Sequence, residues 1–234
     1  MAESSEEKII LKILFLYIHF KKFLEKIKIW MRTNLMGFQR CPWCGNFSIF
    51  MALKQALQEL WIPSKDTVFV TWIWCNSKMS QYLDTYGAET LHGRGIAFAT
   101  GVKLANPQLT VISLSWDGDS YGIGLNHLLQ TARRNLKILH ITCDNRIYAL
   151  TVNQASPTTL QGKITQTTPQ GNPFIPFNPL ELVKAAWGKW VKETVSTQLQ
   201  EMKNLMKDAL QFDGFSHLHI KQFCPSWGEK ELVS

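Results

Sequence analysis

Between residues 46 and 223 the chain alternates short apolar runs with segments whose apolar residues recur at helical spacing. This alternation constrains the fold more than any other feature. Residues 46–60 carry Phe47, Phe50, Met51, Leu53, Ala56, Leu57 and Leu60 on one helical face. The run TVFVTWI at 67–73 reads as a buried strand, residues 94–104 as a small-residue helix, and LTVISLS at 109–115 as a second strand. A helix over 125–134 leads to a third strand, KILHITC, at 137–143. Asn178 followed by Pro179 is an N-cap and first-turn pair, and it opens a helix over 180–186. A helix over 198–210 and a last strand over 216–223 complete the pattern. Strands separated by helices predict βαβ units, an α/β fold and a mostly parallel sheet.

Composition supports a core large enough for such a sheet. Of 234 residues, 45% are hydrophobic and 18% charged, which excludes wholesale disorder. No run of eighteen uncharged apolar residues is present, so no ordinary membrane span is expected. The net charge is +7, but residues 1–40 hold eight Lys/Arg against four Asp/Glu, leaving +3 for the rest. The basic character therefore belongs partly to the leader and does not argue for nucleic-acid binding. Residues 8–30 read as a basic helical extension, either amphipathic against a membrane surface or partner, or translated sequence upstream of a start at Met31 or Met36. The expected division is 1–33 as this extension, native or translated upstream sequence, and 34–234 as the functional domain. Between 149 and 179 lies a long Thr/Gln/Asn/Pro stretch without acidic residues, the length of a functional lid.

Two constellations carry chemistry. Cys41 and Cys44 form a CxxC, while Cys75 and Cys224 each follow a strand. Four such thiols suit tetrahedral zinc or an iron–sulfur cluster, and five cysteines without a secretory leader suit a reducing compartment, the cytoplasm. Cys143 lies inside a strand and reads as core. The second constellation is Asp117-Gly118-Asp119 after one strand and Asp144-Asn145 after the next. A carboxylate and an amide oxygen at the ends of neighbouring strands can close on one Mg²⁺ whose other ligands are diphosphate oxygens. Gly118, Gly122 and Gly124 allow phosphate to approach a helix start closely. His127, His140, His217 and His219 read as structural.

These residues carry a resemblance. DGDSYGIGLNH, ARRN and DNRIYALT with NQASPT, joined to CPWCGN, CNSK, TYGAETLHGR and ATGVKLANP, resemble the β subunit of 2-oxoacid:ferredoxin oxidoreductases from about Asn34 to Cys224. The resemblance implies a three-layer thiamine-diphosphate-binding fold. It implies a [4Fe–4S] cluster on Cys41, Cys44, Cys75 and Cys224, and Mg²⁺ held by Asp117, Asn145 and the Ile147 carbonyl. Contacts to thiamine diphosphate are implied at Ile73, Cys75, Ser77, His92, Gly93, Gly118, Asp119, Asn145, Leu150 and Thr151, with Arg94 in the same segment. Lys78 matches a position associated with the substrate carboxylate. The implied reaction is coenzyme A-dependent oxidative decarboxylation of a 2-oxoacid, pyruvate or 2-oxoglutarate, with electrons passed to ferredoxin. The implied partner is an α subunit that supplies the activating glutamate.

The sequence departs from that family in one repeated way. It has nine Trp and fourteen Gly, and tryptophan stands where the family has glycine at Trp43, Trp72, Trp74 and Trp116. Trp61 sits where a left-handed helix end wants glycine, followed by Ile62 and Pro63, and Trp187 belongs to the same set. The expectation is that these six are UGA codons read as glycine in the native lineage. Literal tryptophans would instead favour a catalytically inactive thiamine-fold partner. A zinc-binding interaction module would explain the CxxC but not the Asp117/Asn145 pair.

Overall fold

Four of the strands are buried on both faces, because helices cover the sheet on either side. A computed structural model describes residues 41–72 and 74–228, so the basic extension and Ile73 lie outside the described residues. The buried strands are β1 (Thr67–Trp72), β3 (Thr110–Trp116), β4 (Ile138–Asp144) and β8 (Ser216–Lys221). Two further strands, β2 (Tyr86–Thr90) and β7 (Trp190–Val195), form the edges of a six-stranded sheet of order β2-β1-β3-β4-β8-β7. Every pairing in it is parallel. The remaining two strands, β5 (Ile147–Tyr148) and β6 (Gln154–Ala155), make a small antiparallel ribbon.

Successive side chains of each strand face opposite layers. On one face Phe69, Ile112, Leu114, Ile141, Leu218 and Ile220 pack against α1 (Asn46–Glu59) and α5 (Leu199–Gln211). On the other, Val68, Val70, Val111 and Ile138 meet α2 (Gly95–Ala105), α3 (Leu125–Arg134) and α4 (Pro179–Ala185). The result is the expected three-layer α/β arrangement. Asn178 caps α4 as the sequence predicts, its Oδ1 accepting from Glu181 N at 3.3 Å.

The second face also holds a polar core. Tyr121 Oη lies 3.1 Å from His217 Nε2 and 2.8 Å from His219 Nδ1, and Ser120 Oγ lies 3.0 Å from His140 Nε2. Burial drives His140 down to about 3, His219 to about 4 and His217 well below the usual value, so all three are neutral. They are structural, as the sequence suggests.

Three turns have left-handed backbone at tryptophan. Cys44 N donates to Cys41 O at 3.1 Å across Pro42 and Trp43, whose φ is 66°. Proline second and positive φ third is the type II turn, which wants glycine at the third place. Helix α1 ends with Trp61 at φ 56°, Trp61 N donating to Gln58 O and Ile62 N to Leu57 O. Helix α4 repeats the motif with Trp187 at φ 68°, Trp187 N donating to Lys184 O and Gly188 N to Val183 O. Both are Schellman ends, where glycine is the usual left-handed residue. Helix α3 uses Asn135 at φ 51°, a side chain that tolerates this region.

Candidate active site

From β1 the chain passes to the edge strand β2, then returns through α2 to β3 on the other side of β1. The strand order therefore reverses between β1 and β3, and a crevice at the carboxyl ends there is where such sheets take ligands. Asp117 follows β3, while Asp144 closes β4 ahead of Asn145. Both carboxylates are buried. The Thr158 hydroxyl lies 3.1 Å from Asp117 Oδ2 and 2.8 Å from Asp144 Oδ1, and its one hydrogen can serve only one of them. Asp117 Oδ1 has no hydrogen-bond partner. Burial raises the Asp117 carboxyl well above the usual range, and the Asp144 charge raises it further. Burial raises Asp144 as well, against the hydrogen bond from Thr158 and that from Arg146 N at 2.8 Å.

An unpartnered carboxylate oxygen beside a second buried carboxyl is a place for a cation. The donors are hard oxygens, and Asn145 Oδ1, which accepts from Ile147 N at 3.2 Å, keeps a second lone pair. This set fits Mg²⁺, which binds through one or two carboxylates and completes its shell from phosphate and water. Among the described residues no three of His, Cys, Asp and Glu gather closely enough to hold a metal by themselves.

Asp119 does a different job. It sits in the π-helical turn Gly118–Ile123, accepts from Gly93 N and lies 3.3 Å from His92 Nδ1. The buried carboxyl thereby ties the His92–Gly93 loop to the end of β3, and burial pushes it up to about 7. Gly93 has φ 75°, and a Cβ there would strike Ile123.

The space in front of these groups is filled with indole. Trp72 is fully buried, donates through Nε1 to Leu114 O at 2.8 Å and stacks on His92 at 5.3 Å. Trp74 and Trp116 stack at 4.5 Å, within 2° of parallel, and Tyr148 meets both edge-on. Neither Trp74 Nε1 nor Trp116 Nε1 has a hydrogen-bond partner, though both are buried. The Trp116 ring covers Gly118 so closely that a Cβ there would strike it. The oxygen donors suit a metal diphosphate, but with these rings in place the crevice does not fit thiamine diphosphate.

At the other flank, Gly45 N donates to Phe223 O at 3.1 Å and lays the segment after β8 along the start of α1. That brings Cys224 to the CxxC. Burial raises the Cys44 thiol, and Cys224 and Cys41 raise it further. Gln222 Nε2 lies 3.6 Å from Cys44 Sγ, and Cys41 Sγ lies 3.8 Å from Ser226 Oγ. Cys75 is half-buried in the turn after β1. Cys143 is buried in β4, its thiol pushed up to about 12 by burial.

Comparison with known proteins gives the site a context. Residues 67–220 match the family described as thiamine pyrophosphate enzyme, C-terminal TPP binding domain. The 2-oxoglutarate synthase subunit KorB of Archaeoglobus fulgidus is 34% identical over 197 residues, 84% of this chain and 73% of the relative. The chain belongs to the β subunits of 2-oxoacid:ferredoxin oxidoreductases. The 2-oxoacid:ferredoxin oxidoreductase 1 subunit beta of Aeropyrum pernix is 39% identical over 81% of this chain and 59% of its own. A solved structure, 2-oxoglutarate:ferredoxin oxidoreductase from Magnetococcus marinus with 2-oxoglutarate, coenzyme A and succinyl-CoA bound, superposes with a TM-score of 0.81 at 35% identity. That match covers 82% of this chain and 66% of the other. The chain thus spans about three fifths of the length of the first β subunits it matches, from 51% to 63%.

Within this β-subunit fold, Asp117, Asp119, His92, Gly93 and Gly118 converge on the crevice, with Asn145 and Ile147 just after β4. Ser77 is buried and donates to Trp74 O at 2.8 Å. Lys78, Leu150 and Thr151 are exposed, so they stand outside the buried part of the site. Sequence reasoning missed Thr158, which joins the two aspartates although it ends the NQASPT motif, and Tyr148, which covers the stacked indoles. The long loop is shaped by its own hydrogen bonds, among them Asn172 Nδ2 to Thr159 O at 2.8 Å and Gly162 N to Asn172 O at 2.8 Å. No helix among the described residues is long and apolar enough to cross a membrane.

Proposed function

We propose that this chain works with an α subunit as a 2-oxoacid:ferredoxin oxidoreductase. The reaction is coenzyme A-dependent oxidative decarboxylation of pyruvate or 2-oxoglutarate, with electrons passed to ferredoxin. The observation that carries the reading is the unpartnered buried Asp117 oxygen beside Asp144 at the strand-order reversal of a thiamine-enzyme fold. In this proposal Asp117, Asn145 and the Ile147 carbonyl hold Mg²⁺, and Cys41, Cys44, Cys75 and Cys224 hold a [4Fe–4S] cluster. With the crevice cleared of the indoles at 72, 74 and 116, thiamine diphosphate would lie against Cys75, Ser77, His92, Gly93, Gly118, Asp119 and Asn145, with Ile73, Leu150 and Thr151 assigned to it as well. Lys78 meets the substrate carboxylate. What supports the cluster is the CxxC turn at the start of α1, against which the Gly45 N to Phe223 O hydrogen bond lays the segment carrying Cys224.

The test is anaerobic co-expression with the α subunit, followed by iron, sulfide and thiamine assays and by 2-oxoacid-dependent reduction of a viologen dye with coenzyme A. Four iron and four sulfide per β chain and activity that vanishes without coenzyme A are expected. Zinc without sulfide would return the chain to a metal-binding interaction module. A second reading is favoured by the stacked Trp74 and Trp116: a β-type partner that keeps the fold and cannot take the cofactor. It predicts the cluster without thiamine diphosphate.

A further inference from the structure

We infer that positions 43, 61, 72, 74, 116 and 187 carry glycine in the protein as its own cell makes it, their codons being UGA, which genetic codes assign differently. Two kinds of observation meet here. Trp43, Trp61 and Trp187 have φ of 66°, 56° and 68°, in the third place of a type II turn and at the left-handed ends of α1 and α4. Each place wants glycine for its backbone alone, and the Trp43 and Trp187 side chains give little back, being 88% and 77% exposed.

The other three fail in the opposite way. Trp72, Trp74 and Trp116 are packed into the crevice between the ends of β1 and β3, against His92, Tyr148 and Gly118. Two of the indole N–H groups are buried without an acceptor, a loss that a selected aromatic core avoids. Glycine at all three empties the space directly beside Asp117 and Asp119 and leaves Gly118 open to a phosphate. One substitution type repairs both the strained turns and the blocked crevice. Trp190, in β7, shows neither defect and is outside the inference. The crevice half of the inference rests on the proposed function; the turn half does not.

Mass spectrometry of the protein isolated from the cells that naturally make it decides the matter. Tryptic peptides 41–54, 55–65, 104–133 and 185–189 are each expected to be lighter by one indole-bearing side chain, and peptide 66–78 by two. Tryptophan in the fragment ions at any of the six positions overturns the inference. Oxidation of the same preparation to thiochrome reads the proposed function separately. Glycine found without bound thiamine diphosphate sustains the recoding and removes the functional reading. Tryptophan found with bound thiamine diphosphate does the reverse.

Discussion

Asp117 and Asp144 close neighbouring parallel strands, and their buried carboxyls compete for one hydroxyl hydrogen, that of Thr158. Without a cation the arrangement works against the fold, because burial and then the neighbouring Asp144 charge raise the Asp117 carboxyl. Replacing Asp117 by Asn removes one charge and keeps the shape. Asp117→Asn is expected to raise the urea midpoint of the isolated chain at pH 7, by about 1–3 kcal/mol in stability. The same variant is expected to lose the stabilisation that Mg²⁺ gives the unsubstituted chain. A lower midpoint, or an unchanged response to Mg²⁺, counts against the cation site.

The two sets of buried ionisable groups predict opposite pH limbs. Asp119 is raised from 3.8 to about 7, so the unfolded chain gives up its proton first. Its contribution is whole below about pH 4 and is lost as pH rises through 7, up to ~4 kcal/mol. His219 is lowered from 6.5 to about 4, so the unfolded chain gains its proton first. Its contribution is whole above about pH 6.5 and is lost as pH falls toward 4, up to ~3 kcal/mol. Urea titrations from pH 4 to 8 are expected to show Asp119→Asn flattening the upper limb and His219→Gln the lower one. Parallel curves for all three proteins would mean that neither group titrates as its burial requires.

How much of this was legible in the sequence follows from which strands are covered. Strands β1, β3, β4 and β8 announce themselves because helices cover both their faces, so each keeps apolar residues at least at every second position. YGAET and WVKETV do not, because edge strands β2 and β7 are partly exposed and keep polar residues. The Asp117 and Asn145 positions were readable from two strand ends one βαβ unit apart. Thr158 was not, because it reaches the two aspartates only after a long loop folds back on itself, and nothing local in a Thr-rich stretch marks one threonine. The need for glycine at 61 was readable because Ile62 and Pro63 follow the last helical turn. The crowding at 72, 74 and 116 required knowing that β1 and β3 are neighbours.

The left-handed helix ends give a prediction independent of function. A non-glycine residue there costs about 1–2 kcal/mol. Trp187 buries little that glycine would forfeit, being 77% exposed, whereas Trp61 is 46% exposed and keeps more than half of its surface covered. Trp187→Gly is expected to stabilise the chain by about 1 kcal/mol and Trp61→Gly to gain less, the buried ring area offsetting the backbone relief, and the two effects to add, since α1 and α4 lie on opposite faces of the sheet. Trp190→Gly, in the middle of no turn, is expected to destabilise it. Equilibrium urea unfolding of the four proteins measures all of this.

The loop after β5 and β6 couples the aspartate pair to the outer surface. Asn172 is buried, donates to Thr159 O and Leu160 O, and accepts from Phe174 N, so one side chain holds both arms of the loop. Beyond it Ile164, Phe174 and Ile175 are exposed, an apolar tip at the surface. Asn172→Ala leaves the buried Thr159 carbonyl without its donor and is expected to cost about 1–3 kcal/mol locally. The loop also carries Thr158, so its release frees the hydroxyl between Asp117 and Asp144. Trypsin cleavage after Lys163 is expected to accelerate at least several-fold in the variant, while the core strands stay protected in hydrogen exchange. In a complex with the α subunit the same bond is expected to resist cleavage in both proteins, because the proposed partner covers the tip. Equal cleavage with and without that subunit would leave the apolar tip without its proposed partner.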